Sequence, residues 1–113
     1  MHEMSLAESI VQIVEDTARA NGGGRVASVR LEIGALSHVE LESLRFCFDA
    51  VTRATPAEGA ALLIDSPPGQ AWCMACSQTV ALAQLGAACP VCGGHQLAVT
   101  GGEEMRVKEI ELV

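Results

Sequence analysis

Two closely spaced pairs of cysteines constrain the fold of this chain more than any other feature. The motif CMAC occupies positions 73–76 and CPVC occupies 89–92, with twelve residues between the pairs. Two residues between cysteines allow a tight turn to direct both sulfurs to one centre, and two such turns supply four thiolates in a tetrahedron. The spacing therefore predicts one metal site made of Cys73, Cys76, Cys89 and Cys92.

The metal that this spacing favours is zinc, although four thiolates can also hold iron. A pair of redox CxxC motifs is the alternative, but neither motif begins a helix in a βαβ pattern. Four thiolates leave no position for a substrate, so the site is expected to fold its surroundings and not to catalyse. Gly93 and Gly94 fit the second turn, because side chains there would crowd the sulfurs.

The first half of the chain alternates between helix and strand patterns. Residues 5–20 have helical spacing of apolar side chains and begin with a possible capping box, Ser5 to Glu8. Val29, Leu31 and Ile33 alternate as in a half-buried strand. A second capping box, Ser37 to Glu40, is expected to open a helix that continues towards Pro56, and a strand is predicted at 61–65.

The second half changes in texture at residue 70. Residues 70–101 show no long periodic element, whereas the tail MRVKEIELV resembles a strand with a bulge near Lys108. We expect this last strand to return to the first sheet. The prediction is an α+β fold, with two helices and a three-stranded sheet in residues 1–69 and 102–113 and an inserted zinc-ribbon-like domain in 70–101.

Charge and hydropathy argue against two classes of protein. The net charge of −7 disfavours binding to nucleic acid, which requires clustered Lys and Arg. No apolar run approaches the roughly 20 residues that span a bilayer, so we expect a cytoplasmic protein without a membrane anchor. Five cysteines are an odd number for a disulfide framework, and Cys47, outside the two pairs, is expected to be a buried small hydrophobe.

The opening residues, MHEMSL, form a second candidate metal site. The α-amine of Met1, the backbone nitrogen of His2 and the imidazole of His2 lie within chelate reach of one ion, an arrangement suited to square-planar Ni(II) or Cu(II). The competing interpretation is an ordinary helix start, with Glu3 near the positive end of the helix dipole. The residues alone leave both interpretations open.

A family resemblance covers essentially the whole chain. The MHEMSL start, the stretch GALSHVELESLRFCFDAVT, the two CxxC pairs and the EMRVKEIEL ending together resemble the HypA/HybF family of hydrogenase nickel-incorporation proteins. The resemblance implies a metallochaperone and not an enzyme. It implies Ni(II) as cargo at Met1, His2 and Glu3, and structural Zn(II) at the four paired cysteines.

The resemblance also implies partners. Family members deliver nickel with the GTPase HypB to the large subunit of [NiFe]-hydrogenase, and some also serve urease. Glu40, His38 and His95 are candidates for a further nickel ligand, and the sequence leaves monomer and homodimer open. Two rivals remain at this point: a zinc-ribbon module that binds nucleic acid, and a rubredoxin-like electron carrier with iron at the cysteines.

Overall fold

The computed structural model describes residues 2–113. Along these residues, two helices alternate with two strands, and four further strands follow. We number two helices and six strands in chain order: α1 Glu3–Ala20, β1 Val26–Ile33, α2 Leu41–Val51, β2 Ala61–Asp65, β3 Gln70–Cys73, β4 Gln78–Ala81, β5 Leu97–Gly101 and β6 Met105–Leu112. None of the helices in this part of the chain has the length and the apolar composition needed to cross a bilayer.

Helix α1 begins two residues earlier than predicted. It starts at Glu3, and His2 occupies the N-cap position without a capping side-chain hydrogen bond. The carbonyl of His2 accepts the first helical hydrogen bond from the N–H of Leu6, at 2.8 Å. The predicted Ser5–Glu8 capping box is therefore wrong: Ser5 already lies in the first turn, where Glu3 complements the helix dipole.

Helix α2 also has a different cap from the predicted one. Glu40 is the N-cap, and its Oε1 atom accepts a hydrogen bond from the N–H of Glu42 at 3.1 Å. The hydroxyl of Ser37 instead donates to the carbonyl of Gly34 at 2.7 Å. The Ser37–Glu40 capping box is therefore wrong, because Ser37 is used to close a turn that precedes the helix. The helix ends at Val51, before the predicted end near Pro56.

The strands form two three-stranded sheets. The first has the order β2-β1-β6, which confirms that the last strand returns to the first sheet. The second has the order β4-β3-β5, and both of its strand pairs are antiparallel. The sequence did not predict this second sheet, because strands of four or five residues are too short to show a period. The two-helix α+β architecture itself is confirmed.

Contacts divide the chain into two compact units. The first comprises the chain up to Leu31, Val39–Ile64 and Val107–Val113, and within it α1 packs against α2. The second comprises Glu32–His38 and Asp65–Arg106, and so contains the four paired cysteines, the second sheet and the turn after β1. The predicted domain ranges, residues 1–69 with 102–113 and residues 70–101, remain a prediction. The bulge expected near Lys108 also remains a prediction.

Each unit has its own buried side chains. In the first, Val14 of α1, Val29 of β1, and Leu44 and Phe48 of α2 are at most 1% exposed. In the second, one cluster joins side chains from the turn, the sheet and both cysteine pairs: Leu36, Ala71, Cys73, Val80, Leu82 and Cys89. The second core is small, as expected for a lobe that a metal helps to fold.

Candidate metal sites

The two cysteine pairs come together in the second unit. Cys73 ends β3, Cys76 lies in the turn that leads to β4, and the second pair lies in the turns before β5. The four Sγ atoms lie within 4.8 Å of one another. The sequence-predicted cluster is therefore assembled, with Cys73 and Cys89 buried, Cys76 half-buried and Cys92 exposed.

The distances between the sulfurs fit a tetrahedral metal site. Cys73 Sγ lies 3.7 Å from Cys92 Sγ, and Cys76 Sγ lies 4.0 Å from Cys89 Sγ. Four sulfurs bound at about 2.3 Å to one zinc ion lie about 3.8 Å apart. A disulfide would instead bring two sulfurs to about 2.05 Å. The donor set and its spacing thus fit Zn(II) held by four thiolates.

The two cysteine turns share one backbone geometry. The N–H of Ser77 donates to the carbonyl of Cys73 at 2.8 Å, and the N–H of Gly93 donates to the carbonyl of Cys89 at 2.9 Å. Ser77 and Gly93 both have positive φ angles, +52° and +75°. This conformation costs glycine little and other residues more. It explains the glycine in the second turn, and Ser77 adopts the same conformation in the first.

Backbone N–H groups in these turns point at the sulfurs. Cys73 Sγ accepts from the N–H of Cys76, and Cys89 Sγ accepts from the N–H of Val91, both at 3.4 Å. Such hydrogen bonds orient metal-bound sulfurs and partly balance their charge. A Cβ added at Gly94 would lie 3.4 Å from Cys92 Sγ, at the short end of ordinary van der Waals contact, and one added at Gly93 would meet nothing within 4 Å. The predicted crowding of the sulfurs is therefore wrong at Gly93, where the positive φ is the reason for glycine.

Hydrogen bonds within the cluster separate the thiol pKa values. The backbone N–H of Cys92, helped by that of Val91, lowers the pKa of Cys89 to about 7. Hydrogen bonding to the sulfur of Cys92 raises the pKa of Cys76 to about 12. A coordinated thiol is deprotonated outright, so a bound cation would hold all four sulfurs as thiolates.

The second candidate site lies at the start of α1. Met1 is outside the described residues, His2 is exposed, and Glu3 is buried with 7% of its surface accessible. Glu3 Oε2 accepts a hydrogen bond from the backbone N–H of Glu40 at 3.1 Å. This bond lowers the pKa of the Glu3 carboxyl below its usual value, although partial burial opposes it. The carboxylate of Glu3 therefore joins the starts of the two helices.

The candidates for a further nickel ligand, and the unpaired Cys47, differ in their exposure and in their hydrogen bonds. Glu40 uses its carboxylate to cap α2, and His95 lies exposed after the second cysteine turn. His38 is exposed, as expected for a loop histidine, with a φ of +60°. Cys47 is 8% exposed, which confirms its prediction as a buried small side chain.

Comparison with known proteins extends these observations to the whole chain. A family model described as hydrogenase/urease nickel incorporation, metallochaperone, hypA matches residues 1–112. The chain belongs to the HypA family. The HypA family consists of metallochaperones that act in maturation, so the prediction of a nickel metallochaperone family and not an enzyme is confirmed.

Curated relatives and solved structures agree with this membership. The hydrogenase maturation factors HypA of Dechloromonas aromatica and of Albidiferax ferrireducens are each 59% identical over 112 residues, which is 99% of both chains. The solution structure of the Ni metallochaperone HypA from Helicobacter pylori has a TM-score of 0.68 at 24% identity, over 100% of this chain and 98% of that one. A second HypA solution structure gives 0.73 at 24% identity, over 100% and 97%. At this identity the two structures establish the fold.

Proposed function

We propose that this HypA-family chain binds Ni(II) at its N-terminus and delivers it, with the GTPase HypB, to the large subunit of [NiFe]-hydrogenase in the cytoplasm. Membership of a nickel-incorporation family over residues 1–112 is the observation that carries this proposal. The relatives at 59% identity are named hydrogenase maturation factors. Service to urease is a second destination that the family description includes.

The proposed nickel ligands are the α-amine of Met1, the backbone nitrogen of His2 and the imidazole of His2, with Glu3 completing the motif. His2 is exposed and precedes the first helical residue, so helix formation does not consume its N–H group. Nitrogen donors in a plane suit Ni(II), whereas Zn(II) prefers a tetrahedron. The chelate would therefore select its cargo by geometry.

Glu3 has a second task in this proposal. One of its carboxylate oxygens is engaged by the N–H of Glu40, which fixes the residue next to His2 against the start of α2. A chelate formed by a chain terminus must hold the terminus in place, and each ordered backbone residue costs about 1–2 kcal/mol of entropy. Glu3 would lower that cost by ordering the residue that follows the chelating pair.

The resident metal in this proposal is Zn(II) at Cys73, Cys76, Cys89 and Cys92. The sulfur separations and the N–H groups directed at Cys73 and Cys89 support it. Bound zinc would supply a crosslink between the two cysteine turns. We further propose that residues 70–101 fold as the zinc-binding domain, and residues 1–69 with 102–113 as the nickel-binding domain.

The experiment that tests the function compares a variant of the proposed ligand with a control close to it in the chain. His2→Ala removes a proposed ligand, whereas Ser9→Ala changes an exposed side chain of α1 that belongs to neither candidate site. A calorimetric nickel titration of each, with zinc content measured by elemental analysis, should show nickel binding lost only in His2→Ala and zinc retained in both. Unchanged nickel binding by His2→Ala would overturn the proposal, and loss of zinc in that variant would mean that the two sites are one.

A further inference from the structure

A long stretch of the second unit carries no charged side chain. None of the 37 residues from 66 to 102 is Asp, Glu, Lys or Arg, so all 14 acidic and 7 basic residues lie in other parts of the chain. A surface with about 25–35% charged residues keeps a small domain soluble and its copies apart. The surface formed by residues 66–102 lacks this protection against association.

The second sheet exposes one of its two faces within this stretch. The antiparallel register places Thr79 of β4 and Ala98 of β5 opposite Trp72 of β3, and it places Ala81 of β4 opposite Gln70 of β3. Side chains that are opposite one another, or two residues apart on one strand, share a face. All five of these side chains are exposed. We call them the outer sheet face: Gln70, Trp72, Thr79, Ala81 and Ala98.

The outer sheet face combines one large side chain with small neighbours. Trp72 is 41% exposed, and the residues opposite it, Thr79 and Ala98, are small. Large aromatic side chains contribute most to binding where they become buried at the centre of an interface. A two-fold axis can place the Trp72 of each copy against the small residues of the other, so this face is complementary to itself.

The distribution of charge favours a second copy of the chain as the occupant of this face. The net charge of −7 lies outside residues 66–102, so two copies repel one another where those other parts approach. Contact between two outer sheet faces removes no carboxylate, ammonium or guanidinium group of this stretch from water, which avoids the desolvation penalty of buried charge. Ala71 and Cys73 alternate with Trp72 and are buried, so the four-cysteine site lies behind the opposite face of the sheet.

We propose that the outer sheet face is a self-association surface, on which a second copy docks face to face with Trp72 as the anchor. The size of the face limits the strength of this contact. Three strands about 4.8 Å apart, with a rise of about 3.3 Å per residue, cover roughly 14 Å by 15 Å. Stable complexes bury about 800 Å² on each partner. The dimer is therefore weak and reversible, with a dissociation constant on the order of 100 μM.

The test is sedimentation equilibrium of the zinc-loaded full chain, from about 10 μM to about 1 mM, a range that brackets the expected constant. Trp72→Lys places a charge on the outer sheet face. Leu85→Lys is the matched control, because Leu85 is 39% exposed and lies in the same uncharged stretch outside its three strands. We expect wild type and Leu85→Lys to dimerise alike, and Trp72→Lys to associate about tenfold more weakly or less.

A second variant guards against a folding defect in Trp72→Lys. Ala98→Lys adds the same charge at a small, exposed residue of the outer sheet face, and it should weaken association in the same way. Circular dichroism checks that each variant is folded. A monomer at every concentration of the wild type would overturn the proposal and leave another protein as the occupant. Equal association of the wild type and both sheet-face variants, or equal weakening by Leu85→Lys, would overturn it too.

Salt and NMR identify the surface that associates. Salt screens the repulsion between the acidic parts of two copies, so higher salt should strengthen association roughly two- to threefold. Association that weakens with salt would mean ion pairing and would contradict an uncharged interface. On dilution, amide shifts should change at Gln70, Thr79 and Ala98 and stay constant at Val14 of α1. Changes confined to α1 would place the contact elsewhere and overturn the proposal. These measurements need no nickel, so they are independent of the proposed function.

Discussion

The carboxylate of Glu3 and the backbone N–H of Glu40 form a 3.1 Å hydrogen bond between the starts of the two helices. The bond holds Glu3, which follows His2 and is the first residue of α1, against the start of α2. It also explains why Glu3 is one of two buried polar residues found in the described chain.

Replacing Glu3 should lower the free energy of unfolding, by an amount that depends on whether the new side chain can still accept the hydrogen bond from Glu40. Glu3→Ala leaves the N–H of Glu40 without its acceptor, so we expect a loss of about 1–3 kcal/mol in the free energy of unfolding. Glu3→Gln keeps an acceptor oxygen and should lose less. Denaturant unfolding of both variants measures the difference, and an alanine variant as stable as glutamine would contradict the role of this bond.

Acid should weaken the same contact. The hydrogen bond from Glu40 lowers the pKa of Glu3 in the folded protein, so its contribution to stability is present above the unfolded pKa of about 4.3 and is lost as the pH falls through the folded value. The stability difference between wild type and Glu3→Gln should therefore shrink between pH 6 and pH 3. Thermal melting at several pH values checks this, and a difference that grows with acid would have the wrong sign.

Removing the metal should unfold the second sheet. Trp72 is the single tryptophan of the chain and lies on β3 beside Cys73, so its fluorescence reports on this sheet. After treatment with a strong chelator, we expect the Trp72 emission to shift to longer wavelength, because the small core around the cysteines cannot fold alone. Restoring zinc should reverse the shift. If the wavelength of the Trp72 emission does not change after the chelator is added, a structural role of the metal is contradicted.

Glycine at position 34 should be required for steric reasons. A Cβ on Gly34 would overlap the carbonyl group of Gly102, whereas a Cβ on Gly101 would meet its neighbours only at 3.6–3.9 Å. Gly34→Ala should therefore lower the free energy of unfolding by about 1–3 kcal/mol or more. The control, Gly101→Ala, should stay within about 1 kcal/mol of the wild type. Denaturant unfolding gives both values, and equal stabilities would mean that the chain relaxes around the added methyl group.

The parts of the fold that the sequence predicted are those with a strong local signal. The CxxC spacing predicted which four side chains meet, because a tight turn limits where each sulfur can point. The alternation of Val29, Leu31 and Ile33 predicted the central strand, because each of these alternate side chains is buried, with at most 2% of its surface exposed. Both signals act over a few residues and depend little on the rest of the molecule.

The parts that were missed depend on distant contacts. Ser5 and Ser37 both matched the spacing of a capping box, but neither caps a helix. Helix α1 already begins at Glu3, and the hydroxyl of Ser37 closes a turn onto Gly34. Leu36 was not singled out, because one apolar residue in a loop has no period. Its burial follows from Gly69 and Gly102, more than thirty residues away in sequence. The signal that could have indicated its burial is that Leu36 is the one large apolar side chain between Gly34 and Ser37.

The most direct test of the N-terminal nickel site changes the α-amine and nothing else. Zinc-loaded protein that begins at Met1 is titrated with Ni(II) in a calorimeter beside the same protein whose α-amine at Met1 is acetylated. Acetylation turns the amine into an amide that no longer has a free lone pair for the metal, so the account predicts that nickel binding is lost while zinc content is unchanged. Equal nickel affinity in the two proteins would show that the amine of Met1 is not a ligand, and would contradict the proposed site.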